Sequence, residues 1–263
     1  MDKTNYDKFF EGAKTMLIKF AEVLVSAHDW YERNAENIAK YLLVFADFGT
    51  WCSATDKLAE KQIVFTDDLT VDFAREICNS ANVDKLVQGY YFDNNEQNMT
   101  TLIERCEAAK EIKPYKELFA QTLDAYQRGH YHLACVGMFS LLDGVLADVS
   151  EMIAATNFKQ RIGAIDQKIK DKVDLNDVDR KTLCIYTSTE QIKDSMFGHS
   201  DFEAPEPDNL NRHWVIHGRT RKAYSKYDFL KITLWLDAIS YMAQLTGKQN
   251  KYYLPFDEGG ADI

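Results

Sequence analysis

The sequence has little proline or glycine, 4 and 12 residues in 263. That excludes a collagenous or low-complexity chain, and with 46% apolar residues it excludes a disordered one. Cysteine is equally sparse. Cys52, Cys78, Cys106, Cys135 and Cys184 are odd in number and form no C-x-x-C pair, which argues against a disulfide framework or a zinc ribbon. Each sits among apolar neighbours, so reduced thiols in packing roles are expected. Basic charge is also lacking: 31 Lys and Arg face 41 Asp and Glu, a formal net charge of −10. Broad nonspecific nucleic-acid binding through net charge is therefore excluded, although a local basic site remains open. No long apolar run is uninterrupted. Leu133 to Val149 comes nearest and is broken by Ser140, Asp143 and Asp148, so no membrane span is expected. The start, Met1-Asp2-Lys3-Thr4-Asn5-Tyr6, lacks the basic and apolar regions of a secretory signal, and a cytoplasmic location is expected.

What is present is a helical pattern. Apolar residues recur at three- and four-residue spacing along most of the chain, and no strand pattern longer than a few residues or internal repeat is visible. The expected fold class is all-α. Phe9, Ala13, Met16, Leu17, Phe20 and Leu24 trace a helix over 5–27, and a second is expected over 29–48, stopped by Gly49. Further helices are expected over 71–88, with Phe73, Ile77 and Leu86 inward, and over 96–112, capped by Asn94 or Asn95. Beyond Pro114 the pattern predicts helices over 115–127, 131–155, 158–172, 177–197 and 228–245. The 131–155 helix should turn Leu133, Val136, Phe139, Leu142, Leu146 and Val149 inward. A short helix opening near Asp208 or Asn209 should end at Gly218.

Pro114 is the expected internal boundary, because the residue before a proline disfavours helix. It divides the chain into an acidic helical region over 1–113, a helical domain over 114–250 and a tail over 251–263. Residues 1–113 carry 13 basic and 20 acidic side chains, net −7, and 114–263 carry 18 and 21, net −3. Anion chemistry is better sought in the second part.

The densest functional segment lies there: Asn211-Arg212-His213-Trp214-Val215-Ile216-His217-Gly218-Arg219. On a helix, His213 and His217 share a face and Arg212 flanks them near the N-terminus. A guanidinium fork, helix N–H groups and a titratable imidazole together suit phosphate chemistry. Trp214, Val215 and Ile216 read as core. Taken alone, His28 and His199 read as surface or hydrogen-bonded residues. A rival reading takes His213 and His217 as metal ligands at i,i+4, with Asp201, Asp208 or His199 as a third. Against it, Trp214 stands where H-E-x-x-H has its glutamate. Arg128, His130 and His132 around Gly129 read as an exposed turn. The aromatic pairs Trp30-Tyr31 and Tyr90-Tyr91 read as packing, and Tyr252-Tyr253 as an anchor for the tail or a partner.

Arg212-x-x-x-x-His217, with polar His213 after the Arg, resembles the R-x(4–6)-H signature of the HEPN superfamily, the higher eukaryote and prokaryote nucleotide-binding proteins. The run Phe197 to Phe202 followed by Leu210 to Arg219 is similar to the ending of bacterial HEPN-type proteins. Tyr126-x-x-Gly129-x-Tyr131-x-x-Ala134 leading to Leu141-Leu142-Asp143-Gly144-Val145-Leu146 resembles their helix hairpin, with Asp143 where Glu is more usual. The resemblance covers about residues 115–247.

It implies a helical bundle that forms a homodimer with the two Arg-His motifs across a shared cleft, and an endoribonuclease that needs no metal or other cofactor. His217 would exchange protons with the ribose 2′-OH or the leaving 5′-oxygen. Arg212 would hold the phosphate, and His213 would orient it or share the proton transfer. Asn211, Arg219, Arg221 and Lys222 would position substrate through phosphate contacts, although the last three read equally well as a solvated basic loop. Asp143 would pair with Arg212 and hold it, a reading that its apolar neighbours Leu142 and Val145 favour over a simply exposed helix carboxylate. RNA, with tRNA as one candidate, is the implied substrate, with a toxin-like or antiviral defence role and an inhibitor or antitoxin as a further partner. The other class of function is a non-catalytic HEPN-like module whose Arg-His pair binds nucleotide or shapes a dimer interface.

Overall fold

A computed structural model describes residues 15, 16, 44, 46–153, 158–172 and 180–247. The chain divides into two compact units, Met1–Gly49 and Thr50–Ile263. The helices expected over 5–27 and 29–48 fall almost wholly outside the described residues, as do Trp30, Tyr31, Tyr252, Tyr253 and the 251–263 tail. Gly49 does not stop a helix: residues 46–59 are helical through it.

Within the second unit, α1 is the helical stretch 50–59. The chain leaves it by a Schellman turn in which Gln62 N–H donates to Ala59 O (3.0 Å) and Ile63 N–H to Leu58 O (3.0 Å). Helix α2 is Val71–Asn79, capped by the Thr70 hydroxyl on Phe73 N–H. It buries Phe73, Ala74 and Ile77. Helix α3, Val83–Ala108, opens on the Asn82 side chain, which accepts from Lys85 N–H at 3.0 Å. The pattern placed one helix over 71–88; the asparagine cap splits it at 80–82. A second break at Asp93–Glu96 divides α3, with Asn94 and Asn95 in left-handed backbone where a cap was expected.

Pro114 opens a single 3₁₀ turn, Lys113–Tyr115, that leads into α4, Lys116–Gln127. Gly129, at φ 76°, turns the chain into α5, Tyr131–Ser150. Then come α6 (Phe158–Lys172), α7 (Arg180–Phe197), the short α8 (Arg212–Ile216) and α9 (Lys226–Gly247). There is no strand among the described residues, and the fold is all-α.

Helix α9 packs on α3 as well as on α5, α6 and α7, so elements from both sides of Pro114 share one core and the chain does not separate there. An aromatic stack holds its centre. Phe158 lies flat on Phe197 at 3.6 Å and 8°, and Trp235 meets Phe197 edge-on at 4.8 Å. Such rings each contribute about 2–3 kcal/mol by burial. Arg105 of α3 donates twice to Asp237 of α9, at 2.7 and 2.9 Å, which ties the two helices together at the edge of that core.

By length and composition alone α5 could cross a membrane; half of it is buried in this unit. Phe139, Leu142 and Leu146 face inward as expected, but Leu133 is 64% exposed. The buried surface of α5 is wider than one stripe and includes Cys135, Met138, Leu141 and Val145. Gly144 allows the Tyr115 ring to lie against α5, since a Cβ there would fall 2.6 Å from it.

Candidate functional site

The motif helix α8 is only five residues long and cannot hold itself in place. Its position is set from outside. Gln62, at the Schellman turn after α1, is 3% exposed and sits at φ 58°. Its side-chain amide clasps the Leu210 backbone, accepting from Leu210 N–H at 2.8 Å and donating to Leu210 O at 3.0 Å. The same Nε2 also donates to Ser195 Oγ at 3.0 Å.

Asn211 then caps α8, its Oδ1 accepting from His213 N–H (3.0 Å) and Trp214 N–H (3.4 Å). Ser200 Oγ donates to the same oxygen at 2.9 Å, while Asn211 Nδ2 donates to Ser195 O and Gly198 O. Asn211 was expected to contact substrate. It is instead 7% exposed with both ends of its amide engaged, and it acts as the structural cap. Trp214 and Val215 are buried, and Gly218 at φ 61° ends the helix, as the pattern predicts.

Arg212 points back onto α5. Its Nη2 lies 3.2 Å from Asp143 Oδ2, and its side chain is 14% exposed. Its Nε is buried with no hydrogen-bond partner. Asp143 serves a second guanidinium, because Arg161 Nη1 donates to Asp143 Oδ1 at 2.9 Å. Arg161 is 7% exposed and also binds Met152 O at 3.3 Å, holding the end of α5. Two guanidiniums around one carboxylate leave a local charge of +1, which favours an anion.

The same helix carries two of three imidazoles that lie in a row, and the Arg212 charge acts on the middle one, His213. The His213 and His217 rings are 5.7 Å apart and nearly parallel at 29°. His199, from the end of α7, meets His213 edge-on at 5.3 Å. His199 and His217 are exposed and His213 is half-buried. Burial, followed by the charges of Arg212, His199 and His217, lowers the His213 pKa below the ordinary imidazole value. His213 therefore stays neutral near pH 7 and orients by hydrogen bonding better than it supplies a proton.

Phe202 backs the row: His217 lies 5.7 Å from its ring, Trp214 5.3 Å, and the Arg219 guanidinium 5.2 Å over it. Arg219 is thus placed beside the histidines, and Arg221 is exposed on the next loop. Lys222 is tied down, donating to Pro207 O and lying 3.8 Å from Asp208 Oδ1. Of the turn residues, Arg128 pairs with Asp124 at 2.8 Å, whereas His130 and His132 line a cavity of about 330 Å³ together with Lys222 and Tyr224, His132 lying against the Tyr224 ring. Tyr91 is buried, and Tyr90 stacks on Phe73 at 4.2 Å.

His213 and His217 come together, but no group of three His, Cys, Asp or Glu side chains is gathered as a metal donor set among the described residues. No disulfide joins any of the five cysteines, and the Cys52 and Cys184 thiols are hydrogen-bonded to each other. Gln62, Arg161 and Phe202 were invisible to the motif. Gln62 and Arg161 lie far from it in sequence, while Phe202 closes the Phe197 to Phe202 run of the resemblance but was given no role there. No family model, curated protein or solved structure matches the chain.

Proposed function

We propose that this chain is a metal-independent endoribonuclease of the HEPN type, in which Arg212 and His217 act on a phosphodiester. The observation that supports the reading is the pair of stacked imidazoles, His213 and His217, on the same short helix as Arg212, which Asp143 holds and whose charge reaches His213. His217, exposed at the C-terminus of α8, takes the proton from a ribose 2′-OH. The O2′–P bond forms as the P–O5′ bond breaks, and the charge that grows on the phosphoryl oxygens meets the guanidinium of Arg212. His213, kept neutral, orients the phosphate. Arg219 and Arg221 contact flanking phosphates. The product is a 2′,3′-cyclic phosphate. A homodimeric cleft, a structured RNA such as tRNA as substrate, a cytoplasmic defence role and a cognate inhibitor belong to the same proposal through the resemblance.

The non-catalytic reading has one observation in its favour: Arg212 is mostly buried and paired within its own chain. Cleavage assays separate the two. Wild type and the Arg212→Ala, His217→Ala double variant are incubated with total tRNA and single-stranded RNA in excess EDTA, and product ends are analysed. Cleavage by wild type alone, leaving 2′,3′-cyclic or 3′-phosphate ends, supports the nuclease. No cleavage by either, with both folded, supports the binding module, and activity restored only by a divalent ion would favour a metal mechanism.

A further inference from the structure

We infer that His199 is the second acid–base group of this site, the partner of His217; the inference rests on the ribonuclease reading. Read from sequence, His199 is one histidine in a polar loop. The fold makes it part of the motif, at 5.3 Å from His213. Its placement is built from both sides. The residue before it, Gly198, gives its carbonyl to Asn211 Nδ2, and the residue after it, Ser200, donates to Asn211 Oδ1. One amide therefore brackets His199 and caps the helix that carries Arg212, His213 and His217.

Gly198 itself is required there. A Cβ at that position would lie 2.3 Å from the Asp194 carbonyl oxygen, so the chain leaves α7 along a path that only glycine allows without a backbone shift. The chain is thus held on both sides of His199, while its ring stays exposed and meets His213.

The chemistry has a vacancy of the matching kind. When His217 removes the 2′-OH proton, the departing 5′-oxygen must receive one, or it leaves as an alkoxide. His213 is suited poorly, because burial and Arg212 disfavour its protonated form. His199 is exposed to solvent at the end of the row. In the forward step His217 gains a proton, the O2′–P bond forms, the P–O5′ bond breaks, and His199 gives its proton to O5′. Hydrolysis of the cyclic ester runs the roles in reverse: His199 takes a proton from water as the water oxygen bonds to phosphorus, the P–O2′ bond breaks, and His217 returns its proton to O2′, leaving a 3′-phosphate. His199 meets His213 of α8; the charged residues nearest to it in sequence are Asp201 and Glu203 in its own loop and Asp194 at the end of α7, which pairs with Lys159 at 2.7 Å.

The test uses two substrates that differ in their need for an acid, RNA and uridine 3′-(4-nitrophenyl phosphate), whose phenolate leaves unprotonated. His199→Ala should slow RNA cleavage by about 10²–10⁴-fold. On the nitrophenyl ester its loss should be at least about tenfold smaller, whereas His217→Ala should lose activity on both. The alkaline limb of the wild-type pH–rate profile on RNA should vanish in His199→Ala, and His199→Gln should behave in the same way. Equal losses on the two substrates, or RNA cleavage unchanged by the substitution, would overturn the acid role while leaving the ribonuclease reading intact. A wild type inactive on both substrates would remove that reading and this inference together. A second readout needs no turnover: in His199→Ala the His213 ring titration, followed by NMR, should move up in pH, and a stationary titration would deny the contact between them.

Discussion

Replacing Gln62 by glycine should destabilise the protein, against the usual effect of glycine at such a position. Gln62 occupies the left-handed residue of a Schellman turn, at φ 58°, where glycine is the common occupant and other residues carry about 1 kcal/mol of strain. By local rules alone the substitution would recover that energy. The amide changes the sign. Without it, Leu210 N–H and Leu210 O, at a residue 5% exposed, lose their partners. Each orphaned buried group costs about 1–3 kcal/mol, so the two lose about 2–6 and the net destabilisation is about 1–5 kcal/mol. At a mid-range 3 kcal/mol the melting temperature would fall by about 6–12 °C for a unit of this size. Gln62→Met keeps the strain and fills most of the space that glycine leaves empty, so its own loss against wild type isolates the contribution of the amide. Urea unfolding of the three proteins gives the energies, and hydrogen exchange at the Leu210 amide reports whether the clasp has opened. A Gln62→Gly variant as stable as wild type, with Leu210 still protected, would refute the claim that this amide holds the motif loop.

Two further predictions concern packing and pH. Gly144→Ala would gain about 1 kcal/mol of helix propensity on α5, but its Cβ would fall 2.6 to 2.9 Å from the Tyr115 ring, which must swing out and release Asp148 from their 2.8 Å hydrogen bond. A net loss of about 1–2 kcal/mol is expected by urea unfolding; the same change in a Tyr115→Ala background should instead be stabilising, and destabilisation of equal size in both backgrounds would contradict the clash. For pH, His213 is depressed by burial first and then by Arg212, His199 and His217, so the folded chain binds this proton more weakly than the unfolded one. That contribution is complete above the unfolded imidazole pKa of about 6.5 and is lost as pH falls through the lower folded value. His213→Gln should flatten the acid side of the melting temperature profile between about pH 7 and pH 5, and parallel profiles would exclude His213 as a source of the slope.

Much of the architecture was legible from local chemistry. The helices at 158–172 and 116–127 follow their apolar spacing, Gly129 and Gly218 adopt the left-handed turns expected of them, and Trp214 and Val215 are buried as the stripe implies. Misreadings arose where neighbours in space overruled neighbours in sequence. Leu133 continues the α5 stripe by spacing yet faces outward, and Asn211 looked like a substrate ligand because it adjoins Arg212. The Pro114 boundary failed to divide the core because proline dictates a local backbone angle and says nothing about which helices pack together. Here α9 reaches back to α3 across it.

The sequence by itself determined an all-helical chain, the identity of its turn residues and the presence of Arg212, His213 and His217 on one short segment, since helix periodicity and capping act over a few residues. Only the tertiary structure decided what that segment is joined to. The Asp143–Arg212 pair was expected and is present, but Gln62 grips Leu210 across 148 positions, Arg161 takes a share of Asp143, and His199 is drawn to His213 through Asn211. Such pairings are selected by the shape and charge of a closed core, which no local pattern records.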